Sequence, residues 1–234
     1  MSGMIKMVVL GGPTFKELCH LVEDINLSGK GAYEVIALLD DNEELHGTHI
    51  SGIEVKGPLQ MAHDFPGSTV FALAINNNKR RIQRMEILNN LELPYSRFPA
   101  LIHPTAVIES SARISNGCQI FQFCSIANGV VIGEFSMLSP YSLCALDSHL
   151  DSGVLTGARV TVLGKAQLGA CSFIGSGSLV VENVVVGSGA FVGAGSLLMQ
   201  NLKPGHFTMG NPASQQVRNI HVPESIISLS NVFA

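Results

Sequence analysis

The sequence predicts an α/β domain with a small parallel sheet, followed by an all-β domain built as a parallel β-helix. Three observations support this division. Apolar segments of strand and helix character alternate in residues 1–98, aliphatic residues recur every six positions in residues 99–213, and the chain has 24 glycines but no tryptophan. Only 6% of the residues in the chain are aromatic. This composition favours a repeat array whose interior is filled by small and aliphatic side chains.

A six-residue repeat dominates the second half of the chain. Its aliphatic position holds Ile, Leu or Val at fifteen of the seventeen places from Ile102 to Leu198, and the residue two places earlier is always Ala, Cys, Ser or Val. Residues i and i+2 of an extended strand point to the same side, so each repeat places one small and one aliphatic side chain inside. If three repeats close one coil, residues three repeats apart stack about 4.8 Å from each other.

Glycine directly follows the aliphatic residue in six of the repeats, where we expect it to supply the backbone freedom of a corner. These glycines are Gly133, Gly157, Gly169, Gly175, Gly187 and Gly193. The alternative fold is a sandwich with short strands, but turns in a sandwich are irregularly spaced. The uninterrupted period therefore favours a β-helix.

The first part of the chain predicts a Rossmann-like parallel sheet. The strand MIKMVVL runs into the turn Gly11-Gly12 and then into a helix with apolar spacing at Phe15, Leu18, Cys19 and Val22, and the strands EVIALL and VFALAI follow. Strands that alternate with helices form parallel sheets, and their ligands bind near the carboxyl ends of the strands.

The glycine turn suits a nucleotide better than a dinucleotide, because no GxGxxG is present. Free backbone N–H groups at a helix N-terminus can receive a phosphate, and Asp40, which closes the second strand, can accept hydrogen bonds from ribose hydroxyls. The structural alternative is that Gly11, Gly12 and Asp40 only form tight turns.

Composition excludes several classes of function. A net charge of −4 with 14% charged residues gives no broad basic surface for nucleic acid. No apolar run is long enough for a membrane span and no signal-peptide cleavage site follows the N-terminus, so we expect a cytoplasmic protein without a membrane partner. The five cysteines have no zinc-type spacing and predict reduced thiols and no metal site.

A set of segments along the chain resembles a known family. The segments VVLGGPTF, ALLDDNEELHG, ISGIEVKGPL, ALAINNNKRR and LIHPTAVI, the six-residue repeat and the ending KPGHFTMGNPA are similar to bacterial sugar acyltransferases related to sialic-acid O-acetyltransferase and bacillosamine N-acetyltransferase. The resemblance implies a nucleotide-sugar-binding domain at 1–98, a left-handed β-helix acyltransferase domain at 99–213 and a C-terminal tail at 214–234. It also implies a homotrimer with acyl-CoA bound between neighbouring β-helices.

The resemblance carries several binding residues over to this chain. Gly12, Pro13 and Thr14 match the phosphate-side loop, Asp40 and Asp41 match an acidic pair, and Gly57 matches a glycine near the sugar nucleotide. The positions that match the family's CoA-binding cleft are Gly175, Ser176, Gly193 and Ala194. For each of these four, corner geometry alone is an equal alternative.

Acyl transfer needs a base to take the proton of the attacking group, and histidine is the natural base near neutral pH. His149 is the only histidine between Pro104 and Gly205, and it should point outward because it lies between the inward residues Ser148 and Leu150. Asp147 and Asp151 share its side of an extended strand, so either could orient the imidazole. Val131 and Gln167 should flank His149 one coil below and one coil above.

The family's usual base position is occupied differently in this chain. Members carry a histidine followed by an acid there, whereas this chain has Asn128 and Gly129 in SIANGVVIGEF and is one coil longer than usual. His149 is therefore a relocated base, or an ordinary outward histidine, or the reaction proceeds without a base while Asn128 positions the acceptor.

The sequence thus predicts an acetyl-CoA-dependent N-acyltransferase acting on a nucleotide-linked amino sugar in surface glycan synthesis. N-transfer is preferred because a neutral amine needs less help from a base than a hydroxyl. A sugar O-acetyltransferase and a non-catalytic sugar-nucleotide-binding trimer are the alternatives. A β-helical carbonic anhydrase is disfavoured, since it would need several histidine ligands in the repeat.

Overall fold

The structure is a computed structural model that describes residues 3–216 and 220–229. The α/β part begins with a five-stranded sheet in the order β3-β4-β2-β1-β5, parallel except for the β3–β4 pair. Its elements are β1 Ile5–Leu10, α1 Phe15–Leu27, β2 Tyr33–Leu39, β3 His49–Ile50, β4 Ile53–Gly57, β5 Val70–Leu73 and α2 Arg81–Leu91. Short 3-10 turns occupy Glu43–Leu45, Leu59–Asp64, Asn78–Arg80 and Tyr95–Arg97. The predicted α/β fold is confirmed.

The helix after the glycine turn forms where its apolar spacing predicts it. Phe15, Leu18 and Val22 of α1 are buried, together with Leu21 and Ile25, while Cys19 is half-buried. This apolar stripe packs on Met7, Val9 and Leu38 of the sheet in one hydrophobic cluster. Burial of such a stripe contributes more to helix stability than intrinsic propensity does.

The second part is a three-sided parallel β-helix of two-residue strands. They are β6 Leu101–Ile102, β7 Val107–Ile108, β8 Arg113–Ile114, β9 Gln119–Ile120, β10 Ser125–Ile126, β11 Val131–Ile132, β12 Met137–Leu138, β13 Leu143–Cys144, β14 His149–Leu150, β15 Leu155–Thr156, β16 Thr161–Val162, β17 Gln167–Leu168, β18 Phe173–Ile174, β19 Leu179–Val180, β20 Val185–Val186, β21 Phe191–Val192 and β22 Leu197–Leu198. After β22, the hairpin β23 Phe207–Gly210 and β24 Ala213–Gln216 caps the last coil, and the short helix α3 Glu224–Ile227 follows.

Every third strand pairs in register, as three repeats per coil require. We call the resulting sides face 1 (from β6 through β9 to β21 and the hairpin), face 2 (from β7 through β10 to β22) and face 3 (from β8 through β11 to β20). The turns between them are corner 1–2, corner 2–3 and corner 3–1. The aliphatic residue of each strand points inward, and from Ile120 to Leu198 these side chains are at most 3% exposed.

The glycines that follow the aliphatic residues do a different job from the one predicted. Gly133 and Gly169 are not among the residues with positive φ. Instead, a β-carbon on Gly133 would lie 2.6 Å from the backbone nitrogen of Ser152 on the next coil, and one on Gly169 would lie 2.5 Å from that of Ser188. The expectation of special dihedrals at these glycines was wrong, because close contact between coils is what excludes a side chain.

The α/β part packs against face 1 and corner 3–1. Phe135 of corner 3–1 is 1% exposed and meets Phe98 edge-on, with ring centroids 5.0 Å apart. The fully buried guanidinium of Arg84 on α2 donates hydrogen bonds to the carbonyl of Phe135 and to Asn76 Oδ1. Burial away from water lowers the pKa of Arg84 to about 10.

A second arginine of α2 joins the upper coils. Arg81 donates to the carbonyl of Gly189 at 2.7 Å, and its guanidinium lies 5.5 Å from the ring centroid of Phe191. The backbone nitrogen of Ile220 donates to the carbonyl of Gly205, and Ile226 is fully buried against the α/β part. The division into 1–98, 99–213 and 214–234 stays a prediction; residues 217–219 and 230–234 of its last segment lie outside the described residues.

Candidate functional site

A pocket of about 420 Å³ lies at the carboxyl ends of the parallel strands, where the alternating pattern predicts a ligand. Of the residues carried over from the family, Gly12, Pro13, Asp40 and Asp41 line it. The side chain of Asp40 accepts a hydrogen bond from the backbone of Asn42, and that of Asp41 accepts one from the backbone of Leu59. Each carboxylate keeps a second oxygen for a ligand hydroxyl.

Thr14 and Gly57 do not line this pocket. The Thr14 hydroxyl donates to the carbonyl of Ala74 at 2.9 Å and so ties α1 to the end of β5. The carbonyl of Gly57 accepts the backbone N–H of Asp40, and a β-carbon on Gly57 would overlap Met61 Sδ. Their predicted contacts with a nucleotide sugar stay predictions. In the structure, both residues make contacts that hold the backbone around the pocket in place.

Sequence reasoning missed Asn77 and Arg80, which also line the pocket. Both follow β5, and the exposed Arg80 immediately precedes α2. A guanidinium on the wall of the pocket favours a bound phosphate. The sequence does contain a signal for these residues. The run NNNKRR follows the predicted strand VFALAI, so it must lie at the same sheet edge as Gly12 and Asp40.

A histidine–carboxylate pair lies on face 3 of the β-helix. His149 Nε2 is 2.9 Å from Asp151 Oδ1, with side-chain exposures of 33% and 2%. Ser148 and Leu150 point inward, and His149 stands between Val131 and Gln167 of the neighbouring coils, as the repeat predicts. A carboxylate that accepts the Nε2 proton leaves Nδ1 with a free lone pair, which is the form of a general base.

Of the two candidate acids, Asp151 rather than Asp147 contacts the imidazole. Asp147 lies at corner 2–3 with φ +58, so the backbone there is not extended and the two residues do not share a side. Its backbone N–H donates to the carbonyl of Asn128 at 3.1 Å. Asn128 is exposed on the coil below, where its side chain accepts a hydrogen bond from Ser111.

Corner 2–3 carries a groove of about 350 Å³ that runs over three coils. It is lined by Leu146, Asp147, Gly164, Lys165 and Asn183, among others. One of its three walls, residues 145–147, is only two residues away from His149 in the chain. The groove was not predicted, because its walls come from turns of three successive coils.

The four predicted CoA-binding residues lie at corner 1–2, across face 2 from this groove. Ser176 and Ala194 are exposed, and the backbone N–H of Gly195 donates to the carbonyl of Ser176. Gly175 and Gly193 are buried, and side chains there would collide with Ala194 and Met209. The exposed pair can meet a ligand, while the glycines let the coils approach each other.

A further cavity, of about 530 Å³, separates α1 from corner 1–2. Lys16 and His20 of α1 face Phe121 and Met137 of the β-helix across it, and Thr14 lies at its edge. Among the residues that the structure describes, no cluster of three or more His, Cys, Asp or Glu is arranged to hold a metal ion. Within the same residues, no helix is long and apolar enough to span a bilayer.

Comparison with known proteins supports this architecture. Residues 18–88 match the family described as the PglD N-terminal domain. The acetyltransferase domain of PglB from Neisseria gonorrhoeae, solved with acetyl coenzyme A, is 26% identical with a TM-score of 0.78, over 92% of this chain and 100% of that one. This chain resembles the hexapeptide sugar acyltransferases along nearly its whole length.

Two more solved structures share the fold. A mutant of perosamine N-acetyltransferase from Caulobacter crescentus, in complex with CoA and GDP-perosamine, is 22% identical with a TM-score of 0.77 over 93% of this chain and 99% of that one. WeeI from Acinetobacter baumannii is 23% identical with a TM-score of 0.74 over 90% and 99%. The predicted combination of an α/β domain and a left-handed β-helix is thereby confirmed. No curated protein sequence matches the chain significantly.

Proposed function

We propose that the protein is an acetyl-CoA-dependent N-acetyltransferase that acts on a nucleotide-linked amino sugar in bacterial glycan biosynthesis. One observation carries the proposal: the strand-end pocket and the β-helix occur together in one fold that matches an acetyl-CoA-binding acetyltransferase domain over its full length. Both proposed substrates are cytoplasmic metabolites, which supports the same location for the protein.

The sugar nucleotide binds with its diphosphate at Gly12, Pro13 and Arg80, and with its ribose hydroxyls at Asp40 and Asp41. Two features support this placement. The Gly12 N–H and the Arg80 guanidinium favour anions, whereas carboxylate oxygens accept hydroxyl protons. Thr14 and Gly57 hold the pocket in shape through the contacts described above.

The donor binds with its pantetheine arm along the exposed corner residues Ser176 and Ala194, beside Gly175 and Gly193. The side chains at these four positions are small, and backbone N–H and C=O groups can meet the amide groups of the arm. The residues present therefore fit an extended thiol ester.

In the reaction, the sugar amine attacks the thioester carbonyl, and His149 Nδ1 accepts the amine proton. The carbon–sulfur bond then breaks, and the departing thiolate takes the proton back from the imidazolium. Asp151 holds the ring and stabilises its charged form. Asn128 on the coil below His149 remains the candidate for orienting the acceptor.

The active unit is a trimer that buries face 2. Four of the six outward strand residues of this face are apolar, namely Val107, Leu143, Leu179 and Leu197, and the first two are 61% and 37% exposed. Corner 1–2 and the groove before His149 lie on opposite edges of face 2. In a threefold assembly, the donor corner of one copy can therefore lie beside the groove and His149 of another copy.

The test is thiol release from acetyl-CoA with a panel of UDP-, dTDP- and GDP-linked amino sugars. We expect release that depends on one sugar and equals the product formed. A product stable to hydroxylamine is an amide, whereas a labile product would be the ester of an O-acetyltransferase. Tight nucleotide binding without thiol release from any sugar would contradict the proposal and favour the non-catalytic trimer.

A further inference from the structure

One residue of each of the five turns that follow β9, β12, β15, β18 and β21 at corner 1–2 forms a line along the β-helix. These residues are Phe123, Tyr141, Arg159, Gly177 and Gly195, spaced by 18, and we call them the corner line. Their φ angles are +56, +63, +58, +69 and +67 degrees. All five turns therefore have the same left-handed backbone, and only the side chains differ.

The corner line changes character midway. A β-carbon built on Gly177 or Gly195 has no heavy atom within 4 Å, so this half is open. The other half is filled: the rings of Phe123 and Tyr141 stack with centroids 5.0 Å apart and an interplanar angle of 21°, and the Arg159 guanidinium lies 5.8 Å from the Tyr141 centroid. The change occurs between Gly177 and Arg159.

The turn itself does not require the aromatic side chains of the filled half. Gly177 has a positive φ close to that of Tyr141 and forms the turn without a side chain. The two rings are 52% and 55% exposed, so they bury little apolar surface within the chain. Their stacking leaves a wall of ring edges standing out from the corner.

The level of this wall matches the level of the proposed base. His149 follows Tyr141 by eight residues and precedes Arg159 by ten, so it lies between these two turns along the helix axis. The pantetheine arm of the donor is proposed to run along Ser176 and Ala194 toward the level of His149. Its thioester then lies where the open half of the corner line ends. Its acyl group then faces the wall.

We propose that Phe123, Tyr141 and Arg159 close the end of the donor cleft and restrict the acyl group to short chains. The inference rests on the proposed acyl-CoA function and adds its donor specificity. Exclusion by a wall acts through steric overlap, and one methylene in such a pocket changes selectivity by about tenfold or more.

The test is a binding series that does not need turnover. Calorimetry with S-ethyl-, S-butyl- and S-hexyl-coenzyme A measures affinity against chain length for the full protein and for the double variant Phe123→Gly/Tyr141→Gly. Glycine adopts positive φ readily, so the variant should fold. The matched control is Glu92→Gly, which also replaces a residue with positive φ, φ +50, but lies after α2.

We expect the natural protein and the Glu92 variant to bind the S-hexyl compound with an affinity about tenfold or more lower than that for the S-ethyl compound. The double variant should bind both compounds with similar affinity. Equal binding of all chain lengths by the natural protein, no change in the double variant, or no binding at all would overturn the inference. Acetyl-CoA turnover with a flat chain-length profile overturns the inference alone, whereas the expected profile without turnover overturns only the proposed function.

Discussion

Among the two candidate acids, Asp151 alone lies within hydrogen-bond distance of the His149 ring. We expect His149→Ala to lower kcat by about 10²- to 10⁴-fold, because the amine proton loses its acceptor. Asp151→Asn should lower kcat as well, since an amide can present its own N–H to Nε2 and favour the wrong tautomer. Steady-state kinetics with the matching amino sugar measures both effects.

The matched control is Asp147→Asn, which removes a carboxylate of the same segment that does not contact the ring, and it should leave kcat nearly unchanged. His63→Ala, at an exposed histidine of the α/β part, controls for loss of an imidazole. Normal turnover by His149→Ala would end its role as the base. That result would favour the base-free mechanism, in which Asn128 positions the acceptor.

The thiols should be inert in the folded protein. Burial raises the pKa of Cys118, Cys144 and Cys171 to about 12, and burial together with the nearby Glu23 raises that of Cys19 to about 11. Since the thiolate is the reactive form, we expect little reaction with Ellman's reagent at pH 8 and reaction of all five cysteines in guanidinium. Rapid reaction of the native protein would contradict this burial.

At the scale of elements, the repeat contains two kinds of glycine with different tolerances. Gly177→Ala meets no neighbour and costs only the left-handed conformation, about 1 kcal/mol. Gly169→Ala must push the Ser188 backbone away and should cost more, toward the upper end of the about 1–3 kcal/mol usual for overpacking. Thermal unfolding at one protein concentration gives the order, and equal losses would show that dihedral freedom governs both positions.

The segment after β5 connects the strand-end pocket to the β-helix. Ile75 and Asn77 line the pocket, whereas Asn76 between them donates to Gln119 at 2.8 Å and accepts from Arg84. This short segment therefore links the pocket wall directly to the β-helix. Sequence patterns show the alternation of such a segment but not which partner each side meets.

We expect Arg84→Met to lower the free energy of unfolding by about 1–3 kcal/mol, because the Phe135 carbonyl and Asn76 lose a buried donor. It should also raise KM for the sugar nucleotide more than KM for acetyl-CoA, since only the first pocket borders this segment. Arg113→Met, at an exposed arginine on face 3, is the control. An equal rise in both KM values would mean that Arg84 supports only general stability.

For the whole molecule, the proposed trimer places face 2 in its interface. We expect light scattering to give three times the chain mass of 24.8 kDa. Leu143→Asp places a charge in the proposed interface and should produce monomers without acetyl-transfer activity, while Arg113→Asp on face 3 should remain trimeric. A monomeric natural protein, or a trimeric Leu143→Asp variant, would contradict the proposed interface.

Much of the architecture was predictable because its causes are local. The strand parity of His149, the flanking Val131 and Gln167, and the inward aliphatic series follow from side-chain alternation and a constant repeat length. The carboxyl-end position of Gly12 and Asp40 follows from the alternation of strands and helices. These patterns depend only on short segments and on a fixed spacing, and the sequence shows both directly.

The amino-acid sequence by itself determined the α/β and β-helical fold, the position of Gly12 and Asp40 at the strand ends, and the outward histidine. Only the tertiary structure decided that Asp151 rather than Asp147 contacts His149, that Gly133 and Gly169 serve close packing, and that Arg80 joins the pocket. The physical reason is distance along the chain: these outcomes depend on the bend of a corner and on contacts between coils and between the two parts of the fold, and no local periodicity records them.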